Sequence, residues 1–380
     1  MTPMLFLVAF LIGLDEFLLG PLLTPIGAEF GVAPEQVALM VAAYNLPLAI
    51  LAPFLGTLSD RIGRTRVLRP ALLTFAAASL LTAAAPSFAL AVGARVLTGI
   101  AAAGMLPVAF ALASETEDAA KAISRVQAGL TLGIILGPLN GALMEAAGNW
   151  RLSFVALGLV AVVLVLAVRG FSKATRSLAS DEQAPTSAIV PAVPGLAAML
   201  FGLGGAIGIF AILGERVRDV FSLETWQVSL LFASFGLMTV AGNLLAPWFD
   251  RHLGARMAAG LNLVFVLAGI VVLFASVSPG VLLAAISLMA WSVFGGATAP
   301  ALQTALAEIS SAHRGLVLAL GSSCLNLGVA LSSALTSALH LHAPHLVAAQ
   351  ATATILPAAL VMVLWAMRGR TLRRSAGAIR

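Results

Sequence analysis

Long apolar stretches separated by short polar ones dominate the pattern along this 380-residue chain. Cutting the sequence at charged clusters and at Gly/Pro breaks gives twelve apolar segments, near residues 4–27, 36–58, 66–85, 88–112, 122–145, 150–169, 193–214, 225–248, 256–277, 281–306, 315–339 and 345–367. Each has about the 20 residues that an α-helix needs to cross the hydrocarbon core of a bilayer. The pattern therefore predicts an all-α polytopic membrane protein with twelve transmembrane helices.

The composition agrees with that class. The chain is 60% hydrophobic and 10% charged, with a mean hydropathy of +1.04, whereas soluble domains carry about 25% charged residues. The net charge of +5 comes from basic residues dispersed among loops and the tail, which argues against a nucleic-acid partner. Cys324 is the single cysteine, so no disulfide framework is expected. The first segment lacks a cationic leader and contains Asp15 and Glu16, and we expect it to be a retained helix.

Charge placement predicts how the helices are oriented. Four arginines, Arg61, Arg64, Arg66 and Arg69, fall between the second and third spans. If that segment is cytoplasmic, seventeen of the 21 Lys and Arg residues lie on its side, three lie outside, and Arg95 lies within the membrane. This asymmetry follows the positive-inside rule. We therefore expect a multi-pass protein of the cell (inner) membrane whose termini are both cytoplasmic.

A polar interruption after the sixth span, about Ser172 to Pro194, has the composition of a flexible linker. Short matches recur on its two sides at an offset near 191: Phe30, Gln36, Val37, Leu39 and Ala42 correspond to Phe221, Gln227, Val228, Leu230 and Ala233. The sequence therefore predicts a duplicated six-helix unit. The predicted division is an N-terminal bundle (1–171), a cytoplasmic linker (172–192), a C-terminal bundle (193–367) and a basic cytoplasmic tail (368–380).

The loop between the second and third spans carries a more specific pattern. Gly56, Asp60, Arg61, Gly63 and Arg64 follow the spacing glycine, three residues, Asp-Arg, one residue, Gly-Arg. This spacing resembles the signature loop between helices 2 and 3 of the major facilitator superfamily, and the likeness extends over essentially the whole chain. The resemblance implies two pseudo-symmetric six-helix bundles and a loop that latches the two halves together on the cytoplasmic side.

The parts of this latch have separate expected roles. Gly56 is expected to let its helix approach a neighbour closely, and Asp60 is suited to charge-assisted contacts. We expect Asp60 and Arg61 to engage the eleventh helix near Gly315.

The second half repeats the latch pattern at Asp250 and Arg251, but Ala246 replaces the glycine and Gly254 comes one residue late. A weaker latch is expected there. Glu115 and Glu308 are expected to be ion-pair partners at cytoplasmic helix ends.

The fourth and fifth spans carry two further motifs. Arg95 lies inside an apolar span, where a guanidinium costs at least about 2.5 kcal/mol unless it finds a partner or water. The alternative is an arginine that reaches out from a helix end. Four glycines at intervals of four residues place a smooth stripe along the fifth helix, which by itself indicates only close helix packing: Gly129, Gly133, Gly137 and Gly141.

Both motifs extend the family resemblance. Arg95 with Gly99 resembles the helix 4 motif that is associated with proton transfer in proton-coupled members. Gly133, Gly137, Pro138 and Gly141 are similar to the helix 5 antiporter motif, with Asn140 as an imperfect fit. Trp150, Arg151 and Phe154 resemble the WRxxF motif of many relatives. Together they imply membership of the twelve-helix drug:proton antiporter group, which exports by exchange.

Two adjacent acids near the middle of the first helix, Asp15 and Glu16, are the candidate proton carriers. Neighbouring helical residues point about 100° apart, so one of them should face the central cavity better. A buried carboxyl group can bind and release a proton as access alternates. We favour Asp15, with Glu16 second. The alternative is a structural acid that pairs with Arg95, the third residue of the predicted proton-coupling set.

Other polar and aromatic residues inside the spans are candidates for the substrate cavity, although interhelical hydrogen bonding or packing is the default role of each: Phe17, Tyr44, Asn45, Asn140, Trp291, Phe294, Gln303 and Asn326. Three histidines near one turn have metal-capable spacing, but a solvated loop is the favoured interpretation: His340, His342 and His345. No metal or cofactor is expected.

The sequence contains no GxxxxGK[ST], HExxH or GxSxG motif, so no nucleotide-driven pump and no enzyme is expected. The predicted function is secondary active transport by alternating access, by a monomer, of small lipophilic or weakly cationic compounds out of the cell in exchange for protons. Proton-coupled movement of a sugar or another polar metabolite is the alternative. A transport-silent membrane receptor is a remote one.

Overall fold

A computed structural model describes residues 2–116, 119–168, 189–276, 278–309, 314–340 and 343–377. The regular structure in these ranges is helical, and none of these residues lies in a β-strand. The helices are α1 (Thr2–Phe17), α2 (Leu23–Phe30), α3 (Pro34–Val37), α4 (Leu39–Ile62), α5 (Arg64–Ala84), α6 (Phe88–Ala103), α7 (Leu106–Ser114), α8 (Ala119–Ala146), α9 (Arg151–Val168), α10 (Val193–Ala197), α11 (Gly204–Phe210), α12 (Leu213–Phe221), α13 (Thr225–Leu253), α14 (Ala255–Ala275), α15 (Val281–Ala307), α16 (Arg314–His340) and α17 (Pro344–Gly377).

Eleven segments of the described chain are long and apolar enough to cross a membrane. The sixth predicted span is present as the shorter apolar helix Arg151–Ala167. The prediction of an all-α polytopic membrane protein is confirmed. The last helix runs on to Gly377, ten residues past the predicted end of the twelfth span at residue 367.

Short irregular pieces break the first, fourth and seventh spans. In the first span, the 3₁₀ turn Gly20–Leu22 separates α1 from α2, with Pro21 in the turn. In the fourth, α7 begins at Leu106 with a proline in its first turn, where the missing N–H is tolerated. In the seventh, the π-helical segment Ala198–Leu203 joins α10 to α11. These breaks re-aim the helix ends without leaving the membrane span.

The first compact unit comprises Met1–Asp181 and Phe210–Ser234, so α12 and the beginning of α13 group with the N-terminal helices. Within it, α1 packs along α8, α4 packs along α6, and α5 packs against both α6 and α9. Large apolar side chains that are fully buried, among them Leu5, Phe75 and Phe154, form its core.

The second compact unit comprises Glu182–Ile209 and Phe235–Arg380. Here α14 packs against α15 and α17, as α5 packs against α6 and α9 in the first unit. Glycines bring α13 and α15 together, because a Cβ on Gly242 would lie 1.9 Å from the backbone oxygen of Val293. Most of the predicted linker, residues 172–188, lies outside the described residues.

Backbone conformation repeats at the offset that the sequence shows. Gly31 (φ 65°) and Ser222 (φ 54°) both end a helix in the left-handed conformation and are 191 residues apart. Gly63 (φ 106°) and Gly254 (φ 82°) both immediately precede a helix and are also 191 residues apart. Gly254 therefore has the role of Gly63, although it comes one residue later after its Asp-Arg pair.

Candidate functional site

Asp15 and Arg95 form a buried ion pair inside the first unit. The Nη1 atom of Arg95 donates to Oδ1 of Asp15 over 2.6 Å, and the two side chains are 2% and 0% exposed respectively. The pair joins α1 to α6. The guanidinium therefore has a carboxylate partner, which makes a charge at this depth tolerable.

The glycine stripe of α8 sets the position of α1 and hence of Asp15. A Cβ on Gly133 would lie 2.2 Å from the backbone oxygen of Phe10, and one on Gly137 would lie 2.6 Å from that of Leu14. Gly129 meets Phe6 in the same way. Only glycine allows this approach, so larger residues on the stripe would push α1 away from α8.

A second close approach places Tyr44 beside Arg95. A Cβ on Gly99 of α6 would lie 2.1 Å from the backbone oxygen of Tyr44 in α4. Arg95 is one helical turn before Gly99, and its Cζ lies 4.7 Å from the centroid of the Tyr44 ring. The Phe154 ring of α9 also faces this guanidinium, at 5.9 Å. Four helices thus meet at one buried cation.

Several buried polar atoms at this site have no hydrogen-bond partner among the described residues: Asp15 Oδ2, Arg95 Nε, Tyr44 Oη and Asn45 Oδ1. The Asn45 amide donates to the Val41 backbone oxygen over 3.0 Å. Buried polar groups are normally paired, and a cluster of unpaired ones is characteristic of functional sites. The second oxygen of Asp15 is therefore available to another donor or to a proton.

Glu16 differs from its neighbour, as the 100° rotation between them requires. Its side chain is partly exposed, and it forms no hydrogen bond or ion pair within the described part of the chain. Asp15 carries the contact with Arg95. The two acids therefore have different environments.

The other cavity candidates divide between the units. In the first unit, Phe17 packs on Phe210, with ring centroids 5.8 Å apart, and Nδ2 of Asn140 is buried with no described partner. In the second unit, Phe294 stacks on Phe265 at 4.3 Å and Trp291 is buried.

Two further candidates lie in the second unit. Gln303 is exposed. Asn326 donates to the Ser322 backbone oxygen over 2.9 Å within α16. This contact within its own helix is one of the default roles of a polar residue in a membrane span.

The predicted latch loop has a partner inside its own unit. Arg64 donates through Nε to Glu115 over 3.1 Å and through Nη1 to Ser59 over 2.8 Å, which confirms Glu115 as an ion-pair partner. Among the described residues, no atom lies within 4 Å of a Cβ placed on Gly56, and the close approach expected of this glycine stays a prediction.

Two members of the latch prediction, Asp60 and Gly315, have side-chain positions outside the described part of the chain, so their engagement stays a prediction. His342, of the histidine group, is also outside the described residues. No group of three or more metal-capable side chains occurs in the described chain.

The second copy of the latch lines an open cavity of about 630 Å³ within the second unit. Its lining residues are Asn243, Ala246, Pro247, Asp250, Arg251, Pro300 and Thr304. Nε of Arg251 donates to the backbone oxygen of Pro247 over 3.2 Å.

A polar cluster that sequence analysis missed ties α2 to α12. Thr24 donates to the two carboxylate oxygens of Glu215 at 2.7 and 2.9 Å. Arg218 contacts Thr24, donates to Glu215 over 3.0 Å and donates to the Pro21 backbone oxygen over 2.8 Å. Burial is the main cause that raises the pKa of Glu215 above its ordinary value, opposed by Thr24 and Arg218.

One signal in the sequence could have found this cluster. Thr24 and Glu215 are 191 residues apart, which is the offset between the two repeats. Repeat-equivalent polar positions would therefore have been candidates for a mutual contact.

The WRxxF motif also has a structural role in the first unit. Trp150 donates to Glu29 over 2.5 Å, and Arg151 donates to Glu29 over 2.9 Å and to the Ala83 backbone oxygen over 2.6 Å. The Trp150 ring contacts Phe154 edge-on at 5.8 Å. These bonds hold the beginning of α9, and with it Phe154, against α2 and α5.

Comparison with known proteins identifies the family. The family model described as Major Facilitator Superfamily matches residues 5–289. The uncharacterised MFS-type transporter YbcL of Bacillus subtilis is 23% identical over 336 residues, covering 86% of this chain and 85% of that protein. A triacylglyceride transporter of Mycobacteroides abscessus is 35% identical over 162 residues, covering 40% and 32%. A D-xylose-proton symporter structure shares the fold, with a TM-score of 0.76 at 17% identity over 95% of this chain and 96% of that one. The chain therefore belongs to the major facilitator superfamily and is a multi-pass membrane transporter of small molecules.

Proposed function

We propose that this transporter exports small lipophilic or weakly cationic compounds in exchange for protons, as a monomer, and that Asp15 carries the proton. The observation that carries this proposal is the buried pair of Asp15 with Arg95, in which one carboxylate oxygen is bonded and the other has no described partner. An acid so placed has two stable forms. The anion is held by Arg95, and the protonated form needs no counterion.

The exchange follows from competition for Asp15. In the anionic form, Asp15 is bonded to the α6 arginine and, through the glycine stripe, its helix is fixed on α8. A proton on Oδ2 weakens the bond to Arg95 and lets α1 move relative to α6. A cationic cargo that pairs with the Asp15 carboxylate, or a bulky cargo that occupies the space beside it, then displaces the proton. Glu16, which is adjacent and partly exposed, is the second candidate for this role.

The proposed cargo class rests on two supports. The described spans are rich in alanine, glycine and leucine and hold few charges. One relative, which matches 40% of this chain, is named a triacylglyceride transporter, and a triacylglyceride is an apolar cargo.

A polar metabolite such as a sugar is the second candidate cargo. Buried amide atoms of Asn45 and Asn140 in the first unit have no described hydrogen-bond partner, and hydroxyl-rich ligands could supply one. Buried unpaired amide groups discriminate strongly for ligands that complete their hydrogen bonds.

The test uses purified protein in liposomes with an imposed pH gradient, and ethidium and radiolabelled D-xylose as probes. We expect an acidic lumen to drive uptake of ethidium in the natural protein, and Asp15→Asn to abolish the effect of the gradient. Glu224→Gln removes an exposed acid outside the site and is the matched control. Ethidium uptake that is indifferent to the gradient would contradict proton exchange. Gradient-driven movement of xylose alone would replace the proposed cargo by the polar one.

A further inference from the structure

The guanidinium of Arg95 lies between two aromatic rings. Its Cζ is 4.7 Å from the Tyr44 centroid and 5.9 Å from the Phe154 centroid. All three side chains are buried, with Arg95 and Tyr44 each 1% exposed and Phe154 fully buried. The rings belong to α4 and α9, whereas the carboxylate partner Asp15 belongs to α1. The cation is therefore held by two helices that do not carry the acid.

We propose that Tyr44 and Phe154 are positioning residues of the proton-coupling site, and that their ring faces hold the Arg95 guanidinium when Asp15 takes up a proton. This inference rests on the proposed function. It assigns Tyr44 a role beside Arg95 in place of a role in the substrate cavity, and it gives Phe154 a role beyond the WRxxF motif.

The need for such a support follows from the geometry of the pair. A proton on Asp15 removes the negative charge 2.6 Å from Arg95. An arginine stays charged in proteins, and a buried cation without a counterion is strongly unfavourable. The negative face of an aromatic ring attracts a guanidinium, most strongly where water is excluded. Two such faces make the protonated state of the site accessible.

Both rings are fixed by contacts that do not involve Asp15. Tyr44 is set by the close approach of Gly99 to its backbone oxygen. Phe154 packs against Trp150, which is bonded to Glu29. A proton on Asp15 therefore leaves the rings in place, and the guanidinium keeps its position while α1 is released.

The titratable groups at the site are few, which makes the proposal testable by pH. Asp15 and Glu16 lie on α1, Arg95 on α6, and the Tyr44 phenol on α4, while α8 presents glycines and α9 presents Phe154. Tyr44→Phe distinguishes the effect of the hydroxyl group from the effect of the aromatic ring. It removes the hydroxyl, which has no described partner, and keeps the ring face.

The experiment follows the carboxyl C=O stretching band of Asp15 by infrared difference spectroscopy of the purified protein against pH, with Asp15→Asn assigning the band. Tyr44→Leu removes one ring face, so the cation depends more on the carboxylate. We expect proton affinity to fall about tenfold and the midpoint of the band to move about one unit to lower pH. Tyr44→Phe should keep the natural midpoint, and Phe154→Leu should move it less than Tyr44→Leu because its ring is farther away.

A graded series keeps the test independent of packing. Phenylalanine with one, two or three ring fluorines at position 44 preserves the shape of the ring and weakens its negative face. We expect the midpoint to fall stepwise with each fluorine. A midpoint that stays constant along the series overturns the proposal, as does an Asp15 band that never titrates. The Asp15 band is measured without cargo, so this test is independent of the transport test. If the midpoint falls along the fluorinated series but ethidium uptake does not depend on the pH gradient, proton exchange is contradicted and the role of the two rings is retained.

Discussion

The buried pair of Asp15 and Arg95 predicts that its two members respond differently to removal of the other. In Asp15→Asn the guanidinium loses its counterion in a site where the two side chains are 2% and 0% exposed. Breaking such a pair costs about 3–5 kcal/mol of the free energy of unfolding. Because arginine does not give up its proton, the unpaired guanidinium stays charged at every pH.

The reverse variant behaves differently because the acid can neutralise itself. In Arg95→Gln, the buried Asp15 takes up a proton. Holding a carboxyl group protonated costs about 1.4 kcal/mol for each pH unit above its ordinary pKa near 3.9. The free energy of unfolding of Arg95→Gln should therefore rise by about 2.7 kcal/mol between pH 7.5 and pH 5.5. In the double variant both members of the pair are neutral, so its loss should be smaller than that of Asp15→Asn alone.

The assay is reversible unfolding of the purified protein in mixed detergent and SDS micelles at the two pH values. Glu224→Gln, an exposed acid outside the site, should unfold like the natural protein at both. Equal, pH-independent losses for Asp15→Asn and Arg95→Gln would refute the reasoning. Losses that simply add in the double variant would refute it as well, because uncoupled residues behave in that way.

Three further predictions concern the scaffold around this site. A Cβ on Gly133 would lie 2.2 Å from the Phe10 backbone oxygen, so we expect Gly133→Val to lose exchange, whereas Gly93→Ala, which enters open space, should keep both exchange and folded yield in fluorescence-detected size exclusion; normal exchange by Gly133→Val would contradict the packing of α1 on α8. Thr24→Val removes two short donor contacts to Glu215 and should lower the free energy of unfolding by about 1.5–3 kcal/mol, and an unchanged SDS midpoint would show that the cluster contributes nothing. Because the pKa of Glu215 is raised in the folded protein, its contribution to stability is full below its ordinary pKa of 4.5 and is lost as the pH rises through the raised value. Glu215→Gln should therefore flatten the pH dependence of the free energy of unfolding above pH 4.5. A variant with the same pH profile as the natural protein would count against the raised pKa.

Apolar periodicity carried most of the fold prediction. The thickness of the bilayer sets the length of a span at about 20 residues, so the spans could be located from the pattern of apolar segments along the chain. The sixth is the instructive case, because its described apolar helix, Arg151–Ala167, is shorter than the other spans. Hydropathy locates a membrane segment well, but it fixes the end of a helix less well.

The sequence did not indicate which neighbouring helix each helix packs against. The stripe from Gly129 to Gly141 predicted a smooth helix face, and the structure shows α1 lying on it. A pattern on one helix indicates which face is small, but not which neighbour fills it. The same gap applies to Gly56, where the spacing matches the family signature but no atom of the described residues lies within 4 Å of a Cβ placed there.

The sequence predicted the charged residues of the site but not how its side chains are arranged around Arg95. An acid and an arginine inside apolar spans had to find partners, and pairing with each other was one of the expected alternatives. The rings of Tyr44 and Phe154 around Arg95 depend on the close packing of α4 with α6 and on the position of α9 against α5, which left no local signal in the sequence. The only sequence signal for the contact between Thr24 and Glu215 is their separation of 191 residues, which equals the repeat offset. That separation alone does not predict that the two residues touch.

The proposed exchange requires Asp15 to release a proton during transport, and this release can be measured directly. Liposomes that contain the purified protein and a pH-sensitive dye, at equal pH inside and outside, are given external ethidium. The account predicts that the lumen becomes alkaline as ethidium enters, in the natural protein and in Glu224→Gln, and that Asp15→Asn shows no change of lumenal pH. A lumen that stays at constant pH while ethidium enters, or an equal response from Asp15→Asn, would contradict the account.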